Sequence, residues 1–374
     1  MQRAKNNPQS PNRILSIDTL RGFDMLMITG AGSFLYLLHG KTGVSWIDAV
    51  ALQFEHPPWN GFTFYDFIFP LFLFLAGMSL PFSLNKGLDQ GMEKSQLYWK
   101  AFKRMLLLIA LGILDKNAPT PYFEWSQIRF VGVLQRIGFA GFIVTLLYLN
   151  FDWRRRLYWF AGLLLFYYAI IFLVPVPGYG AGDLSFEGNL HGWFDRTFLP
   201  GRLLQKTYDE NGLLTQIPAL CLTLLGTLAS DVLRKETLSD MTKLKYLSLA
   251  GVCCVVIGLI WGIHFPINKH LWSSSFIMLT GGMGLLSFSL FYWLIDILKF
   301  RKWTLVFVVV GMNSLMIYLV YRFIDFGHTS RLLFEGFYKY LPAKWHEVAQ
   351  SFGVLVIVWM FLYVLYRRKI FFKI

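Results

Sequence analysis

The chain has 374 residues, of which 55% are hydrophobic, 18% aromatic and only 15% charged. A soluble protein of this size carries roughly 25% charged residues, so a soluble globular class is excluded. The formal charge of +13 does not point to nucleic acid either, because the basic residues fall in short clusters between apolar runs.

Apolar runs long enough to cross a bilayer recur from end to end, and ten are predicted as spans. They cover residues 14–38, 62–84, 104–121, 129–150, 157–177, 212–232, 246–265, 271–298, 303–325 and 347–366. The predicted fold class is an all-α polytopic membrane protein, about ten transmembrane helices in one bundle. Residues 1–12 are polar and predicted as a disordered cytoplasmic N-terminus, with one transmembrane domain over 13–374. No cleavable signal peptide is visible, since the first apolar run is too long and lacks a small-residue cleavage site. With the N-terminus in the cytoplasm, every cytoplasmic connection is basic: Lys86 to Arg104, Arg154 to Arg156, Arg234 to Lys245, Lys299 to Lys302 and Arg367 to Lys373. Both termini then face the cytoplasm and His56 faces out. The longest connection, about 178–211, is external, and its aromatic residues argue for an ordered and functional loop. No inverted repeat is visible, which disfavours the common transporter designs.

The stretch richest in chemistry precedes the second span: Glu55-His56-Pro57-Pro58-Trp59-Asn60-Gly61. Two prolines cannot lie inside a helix, so they fix a bend and hold His56 at the membrane interface beside Trp59. A histidine there is an interfacial anchor or, since neutral imidazole accepts protons near working pH, a group-transfer residue. Asp66, one turn inside the following span, is placed to orient that imidazole or to cap the helix. Asp18, Arg21 and Asp24 are spaced i, i+3, i+6 in the first span, as a packing ladder or a substrate contact. Arg136 lies roughly 10 Å below the outer end of its span and needs an anionic partner. Asn313, near mid-span, needs a hydrogen-bond partner, for which another helix is the simplest source. Pro266 to Ser275 offers many donors on the His56 side, as a helix cap or a polar pocket. His39, His191, His264, His270, His328 and His346 are read as interfacial side chains. Cys221, Cys253 and Cys254 sit in apolar runs without metal-site or disulfide spacing, and no metal is predicted.

These motifs, in this order, resemble the catalytic membrane domain of heparan-alpha-glucosaminide N-acetyltransferase and its bacterial relatives. The matching pieces are Ser16-Ile17-Asp18-Thr19-Leu20-Arg21-Gly22, His56 with Trp59-Asn60-Gly61, and Asp66-Phe67-Ile68-Phe69-Pro70. Then come Gly132-Val133-Leu134-Gln135-Arg136-Ile137-Gly138, Asp209-Glu210-Asn211-Gly212-Leu213-Leu214, Asn268-Lys269-His270-Leu271-Trp272-Ser273 and Gly311-Met312-Asn313-Ser314. The resemblance implies transfer of an acetyl group from cytoplasmic acetyl-CoA to an amino sugar on the outer side or in the membrane. The family's active-site histidine falls on His56, discussed there both as a general base and as an acetyl carrier. Where the lysosomal members have an asparagine in the first span, a gap-free comparison reaches Gly32 here. That amide is missing, or supplied by Asn60, Asn268 or Asn313. The lysosomal members' extra lumenal region and further span are also not matched, and the resemblance is to bacterial, inner-membrane relatives.

The leading expectation is an acetyl-CoA-dependent amino-sugar N-acetyltransferase acting on a glucosamine-type amine. His56 and Asp66 are its expected catalytic residues. Trp59, Asn60, Arg136, Asn268, Lys269, Trp272 and Asn313 are the expected substrate-binding residues, and Trp193 a further external aromatic suited to a sugar face. Arg21, Lys103 and Arg104, at the basic end, are the expected acetyl-CoA contacts. The expected partners are the sugar, acetyl-CoA and the bilayer, with a homodimer left open and nucleic acid excluded. The alternative is an N-acetylglucosamine or other amino-sugar transporter without covalent chemistry, and a non-catalytic scaffold would leave Arg136 and Asp66 unexplained.

Overall fold

A computed structural model describes residues 14–117 and 124–372. The expected disordered stretch 1–12 lies outside the described residues. In chain order the helices begin with α1 (Leu15–Leu26), which passes through a π-helical turn at Met27–Ala31 into α2 (Gly32–Tyr36). Short α3 (Ser45–Leu52) is followed by α4 (Phe64–Asp89), α5 (Lys94–Asn117), α6 (Val133–Asn150) and α7 (Trp153–Leu173). A hairpin of β1 (Pro175–Val176) and β2 (Gly180–Ala181) and a helix, α8 (Leu190–Phe198), follow. The remainder is α9 (Gln216–Arg234), α10 (Asp240–Trp261), α11 (Ser274–Tyr292), α12 (Thr304–Gly311), α13 (Ser314–Phe323), α14 (Phe326–Tyr338) and α15 (His346–Arg367).

The fold is an all-α polytopic bundle, and each of the ten predicted spans overlaps a helix among the described residues. Among the described residues, α4, α6, α7, α9, α10, α11 and α15 are each long and apolar enough to cross a bilayer. The pair α12 and α13 is long and apolar enough only when taken together, and it is bent by 67° at its break, the geometry of a broken span or a re-entrant loop. The other two helical segments are less apolar or interrupted. α5 carries Lys94, Lys100, Lys103, Arg104, Asp115 and Lys116, and the first is broken at Gly30, whose φ of 139° suits only glycine. The Tyr321 hydroxyl donates to the Thr29 carbonyl beside that break.

The centre of the bundle is α4, with Leu71, Leu73, Phe74, Leu75 and Met78 all 0% exposed. It continues through Pro70 and Pro81 and packs on α9, α11, α1 and α6. Its crossing with α9 is close enough to require glycine on both helices. A Cβ at Gly77 would lie 2.0 Å from the Thr223 carbonyl oxygen, and one at Gly226 would lie 2.2 Å from that of Phe74.

The long connection between α7 and α9 is ordered, as its aromatics suggest, and it has secondary structure of its own. The β1–β2 register pairs Pro175 with Ala181 and Val176 with Gly180. Asn189 caps α8 by accepting from Gly192 N–H at 2.7 Å. The segment after α8 is held by Arg129, which gives Asp209 two parallel hydrogen bonds of 2.6 and 2.7 Å in a buried setting. Asp195 accepts from the backbone N–H groups of Asp209 and Leu213 at 3.1 and 3.0 Å. The connection is thereby fixed against the His56 end of the bundle.

Candidate active site

The start of α4 builds the first half of the site. Thr63 is the N-cap, and Asp66 accepts its N–H at 3.0 Å through Oδ2. That leaves Oδ1 of Asp66 to meet His56 Nδ1 at 2.6 Å. Asp66 is 1% exposed and the His56 side chain 39%, so a buried carboxylate holds a ring that reaches the surface. The imidazole stacks on Tyr65, centroids 4.9 Å apart and planes 22° apart. An ionised carboxylate can only accept, so it draws the proton to Nδ1 and leaves Nε2 as the nitrogen free to act as a base.

The second half comes from the loop before α11. Lys269 Nζ lies 3.0 Å from His56 Nε2 and 3.7 Å from Asp66 Oδ1. Asn268 is fully buried; its Oδ1 accepts from Leu271 N–H at 2.9 Å and its Nδ2 donates to Asn60 Oδ1 at 3.0 Å. The two loops are thus tied through Asn60. Ser273 serves as the helix cap, accepting from Phe276 N–H at 3.3 Å.

Two residues of this pocket, Glu210 and His270, carried no role in the sequence reading. His270 Nδ1 lies 2.8 Å from the Tyr208 hydroxyl and 3.1 Å from Glu210 Oε1, while its Nε2 lies 3.3 Å from the Pro57 carbonyl oxygen. Trp59 stacks on the same ring at 5.4 Å and 12°. His270 therefore joins three chain segments and is no simple interfacial side chain. Burial pushes the Glu210 carboxyl up, but the His270 hydrogen bond and the nearby Lys269, His270 and His56 outweigh it and bring it to about 2. His191 also departs from the interfacial reading. It is fully buried, with Nε2 3.1 Å from the Asp209 carbonyl oxygen, and burial with Arg136, Arg196 and His270 holds it down at about 3. The only signal in the sequence for Glu210 and His270 was their membership of the shared motifs.

Arg136 and Trp272 lie beneath this pocket rather than in its wall. Arg136 is 0% and Trp272 1% exposed, and the guanidinium sits 4.1 Å above the indole. Arg136 donates to the Glu210 carbonyl oxygen at 2.9 Å and to the Thr215 hydroxyl. It supports the Glu210 segment from below, and its Nε and Nη1 are buried without a hydrogen-bond partner among the described residues. Asn313 has different neighbours. At the α12–α13 break its Nδ2 donates to the Ile370 carbonyl oxygen and its Oδ1 accepts from Phe372 N–H, both at 3.0 Å. Trp193 packs with the apolar cluster around Tyr167 and Leu190. Gly32 faces Tyr65, and a Cβ there would lie 2.6 Å from that ring. An aromatic ring, stacked on His56, thus fills the space that a side chain at position 32 would need.

At the basic end, Lys103 and Arg104 line a cavity of about 440 Å³ between α4, α5 and α6, together with Lys100. Arg104 also borders a second cavity of about 220 Å³, with Arg21, Ser79, Ser83 and Ser314. Arg21 donates to the Ser79 hydroxyl and lies 3.9 Å from Asp18, so the expected ladder is formed only in part; both Asp24 oxygens are buried without a hydrogen-bond partner among the described residues. Phe72, Leu134 and Ile137 continue the wall into a smaller space that reaches Phe69, one turn from Asp66. Asp66, Phe69, Phe72, Ala76, Ser79 and Ser83 follow one another at helical spacing along α4. At about 1.5 Å per residue they span roughly 25 Å from the His56 pocket to the basic cavity.

A polytopic helical bundle with a carboxylate–imidazole pair at one end of its central helix and a basic cavity at the other belongs to the membrane-embedded proteins with a built polar site. The particular family is shown by comparison. Residues 13–266 match the family described as "Heparan-alpha-glucosaminide N-acetyltransferase, catalytic", and the chain belongs to that family. It is similar to heparan-alpha-glucosaminide N-acetyltransferase of Mus musculus, 27% identical over 437 residues, covering 98% of this chain and 61% of the relative. The Homo sapiens protein of that name is 27% identical over 436 residues, covering 97% and 60%. The chain thus spans about 60% of the length of these curated relatives.

Proposed function

We propose that this protein transfers an acetyl group from acetyl-CoA to the amine of a glucosamine-type sugar, with His56 as the residue at the reacting atoms. The observation that carries this reading is the Asp66–His56 pair, 2.6 Å apart, with Nε2 turned toward an amine-bearing side chain. An amino sugar at neutral pH is mostly an ammonium ion and cannot attack a thioester until it gives up a proton. His56 Nε2 takes that proton, and Asp66 stabilises the imidazolium that forms. Glu210, held ionised at about 2, gives the pocket a negative charge that favours a cationic acceptor. Asn60, exposed beside His56, and Trp59 and Lys269, partly exposed, are the residues available to hydroxyls and to the apolar face of a sugar. Asn268, Arg136 and Trp272 act beneath them by holding Asn60, Glu210 and the loop in place.

Acetyl-CoA is the donor in this reading and docks its phosphates at Lys103, Arg104 and Arg21. These cations border the cavities of about 440 and 220 Å³, and guanidinium and ammonium groups are the natural partners of phosphate. The thioester would pass along the α4 stripe toward His56. The basic end is cytoplasmic and both termini share that side, following the positive-inside distribution. Purified protein given acetyl-CoA and glucosamine should release free CoA and form N-acetylglucosamine. Sugar uptake into vesicles with no CoA release would favour the transporter alternative and end this reading.

A further inference from the structure

The position in front of His56 Nε2 is not vacant in the fold. Lys269 Nζ lies 3.0 Å from Nε2, 3.3 Å from Nδ1 and 3.7 Å from Asp66 Oδ1. Its side chain is 13% exposed, so it is held within the site rather than sweeping through solvent. A lysine amine belongs to the same chemical class as the amino group of an amino sugar: a primary amine, protonated in water and nucleophilic once neutral. In this arrangement it occupies the place where an acceptor amine must stand to give His56 its proton. A catalytic device that deprotonates a primary amine beside Nε2 does not distinguish one attached to a sugar from one attached to the chain. Only competition for the position separates them.

We propose that Lys269 is itself an acetyl acceptor, modified by the protein's own His56 when acetyl-CoA is present and no amino sugar fills the pocket. The inference rests on the acetyltransferase reading and adds a modification site to it. The Lys269 ammonium gives one proton to His56 Nε2, and the neutral Nζ attacks the thioester carbonyl carbon. A nitrogen–carbon bond forms and the carbon–sulfur bond breaks. The second Nζ proton leaves with the CoA thiolate as the free thiol, and Nζ keeps the third as an amide N–H. His56 then returns the first proton to solvent. The balance is one ammonium and one thioester converted to one amide, one thiol and one proton, with no oxidant or further reactant. The product carries no charge, so the modified side chain no longer forms an ion pair with Asp66.

The test uses the full chain, purified in lipid nanodiscs and incubated with acetyl-CoA alone, followed by peptide mass spectrometry. The expected result is one acetyl group accumulating on Lys269 while exposed Lys206 and Lys344 remain unmodified. Excess glucosamine should protect Lys269, and Lys269→Arg, which keeps the charge, should carry no label in that peptide. His56→Ala and His56→Gln should slow the modification by about the 10²-fold typical of losing a general base. Equal labelling of Lys269 in the His56 variants would mean spontaneous chemistry and would overturn the inference. So would wild-type protein that releases CoA with glucosamine yet leaves Lys269 unmodified, and in that case the acetyltransferase reading stands. Protein that shows neither CoA release nor modification would overturn both.

Discussion

At the His56 end of α4, side chains from three separated segments hold one another: His56 and Asp66, Lys269 and His270, Tyr208 and Glu210. At the other end, Arg21, Lys103 and Arg104 face cavities of about 440 and 220 Å³ whose walls mix leucine, isoleucine and phenylalanine with serines and the cations themselves. The first region is tightly paired, so its geometry is set before any ligand arrives. The second offers charge and space. The difference fits two tasks. Moving a proton requires atoms fixed within a fraction of an ångström, whereas holding a large phosphorylated donor requires cations and room.

The sharpest way to break this comparison is to remove the pivotal atom at the paired end. His56→Ala should lower turnover by at least the ~10²-fold typical of losing a general base. The fold should survive, because the ring is partly exposed and its packing is confined to Tyr65 and the polar contacts. Well-folded His56→Ala with near-normal transfer to glucosamine would move the chemistry elsewhere. The paired end also depends on its foundation. Arg129→Ala leaves the buried Asp209 carboxylate without its guanidinium partner, a change that costs about 3–5 kcal/mol. Thermal unfolding should show that loss, and an unchanged midpoint would mean the ion pair does not anchor the connection.

The basic end should respond differently. Lys103→Ala combined with Arg104→Ala should raise KM for acetyl-CoA about tenfold, equivalent to ~1.4 kcal/mol of binding, with kcat and the sugar KM little changed. An unaltered acetyl-CoA KM would detach the donor from these cavities. The same comparison requires that the ends face opposite sides of a membrane. Cysteines placed at the exposed positions Ser95 and Ser185 should label from opposite faces, and labelling of both from one face would refute the topology.

Much of this was legible in the sequence, and the reason differs by feature. The helices were legible because apolar runs of the required length have few alternatives in lipid. The Asp66–His56 contact was legible because the two residues are ten apart across a proline-fixed bend and a helix cap. The Lys269 contact was not, since 213 residues separate it from His56 and no periodicity reports which loops meet. The His270–Glu210 pair was hidden for the same reason, and because both residues are ordinary in a loop. Trp272 was misjudged as a sugar platform. A tryptophan beside polar residues reads as interfacial, but its positive φ of 50° belongs to a tight turn that folds it inward beneath Arg136. The 67° break at Asn313 had no proline to announce it, whereas Pro70 and Pro81 lie inside an unbroken α4.

The most local expected effect concerns Asp195, which holds the segment leading to Glu210 by accepting two backbone N–H groups. Burial pushes its carboxyl up, the bonds from Leu213 and Asp209 oppose that, and the balance stands at about 7 against an ordinary 3.8. A carboxyl raised on folding prefers its proton in the folded state. Its contribution to stability is therefore complete below about pH 4 and is lost as the pH rises through about 7. His191, 3.8 Å away, stays neutral through this window because burial holds it at about 3, so it supplies no compensating charge. Glu210, at about 2, is ionised throughout and adds no slope of its own here. The unfolding midpoint of the wild-type protein should thus fall by about ten degrees across the window, since each pKa unit is worth ~1.4 kcal/mol and ~1 kcal/mol moves Tm by roughly 2–4 °C in larger domains. Asp195→Asn cannot ionise and keeps only one of the two acceptor oxygens, so its midpoint should start below wild type but stay flatter with pH, and the gap between the two should close toward the alkaline side. An identical pH profile for the two proteins would show that Asp195 does not titrate in this window. The pocket's support would then owe its pH response to other groups.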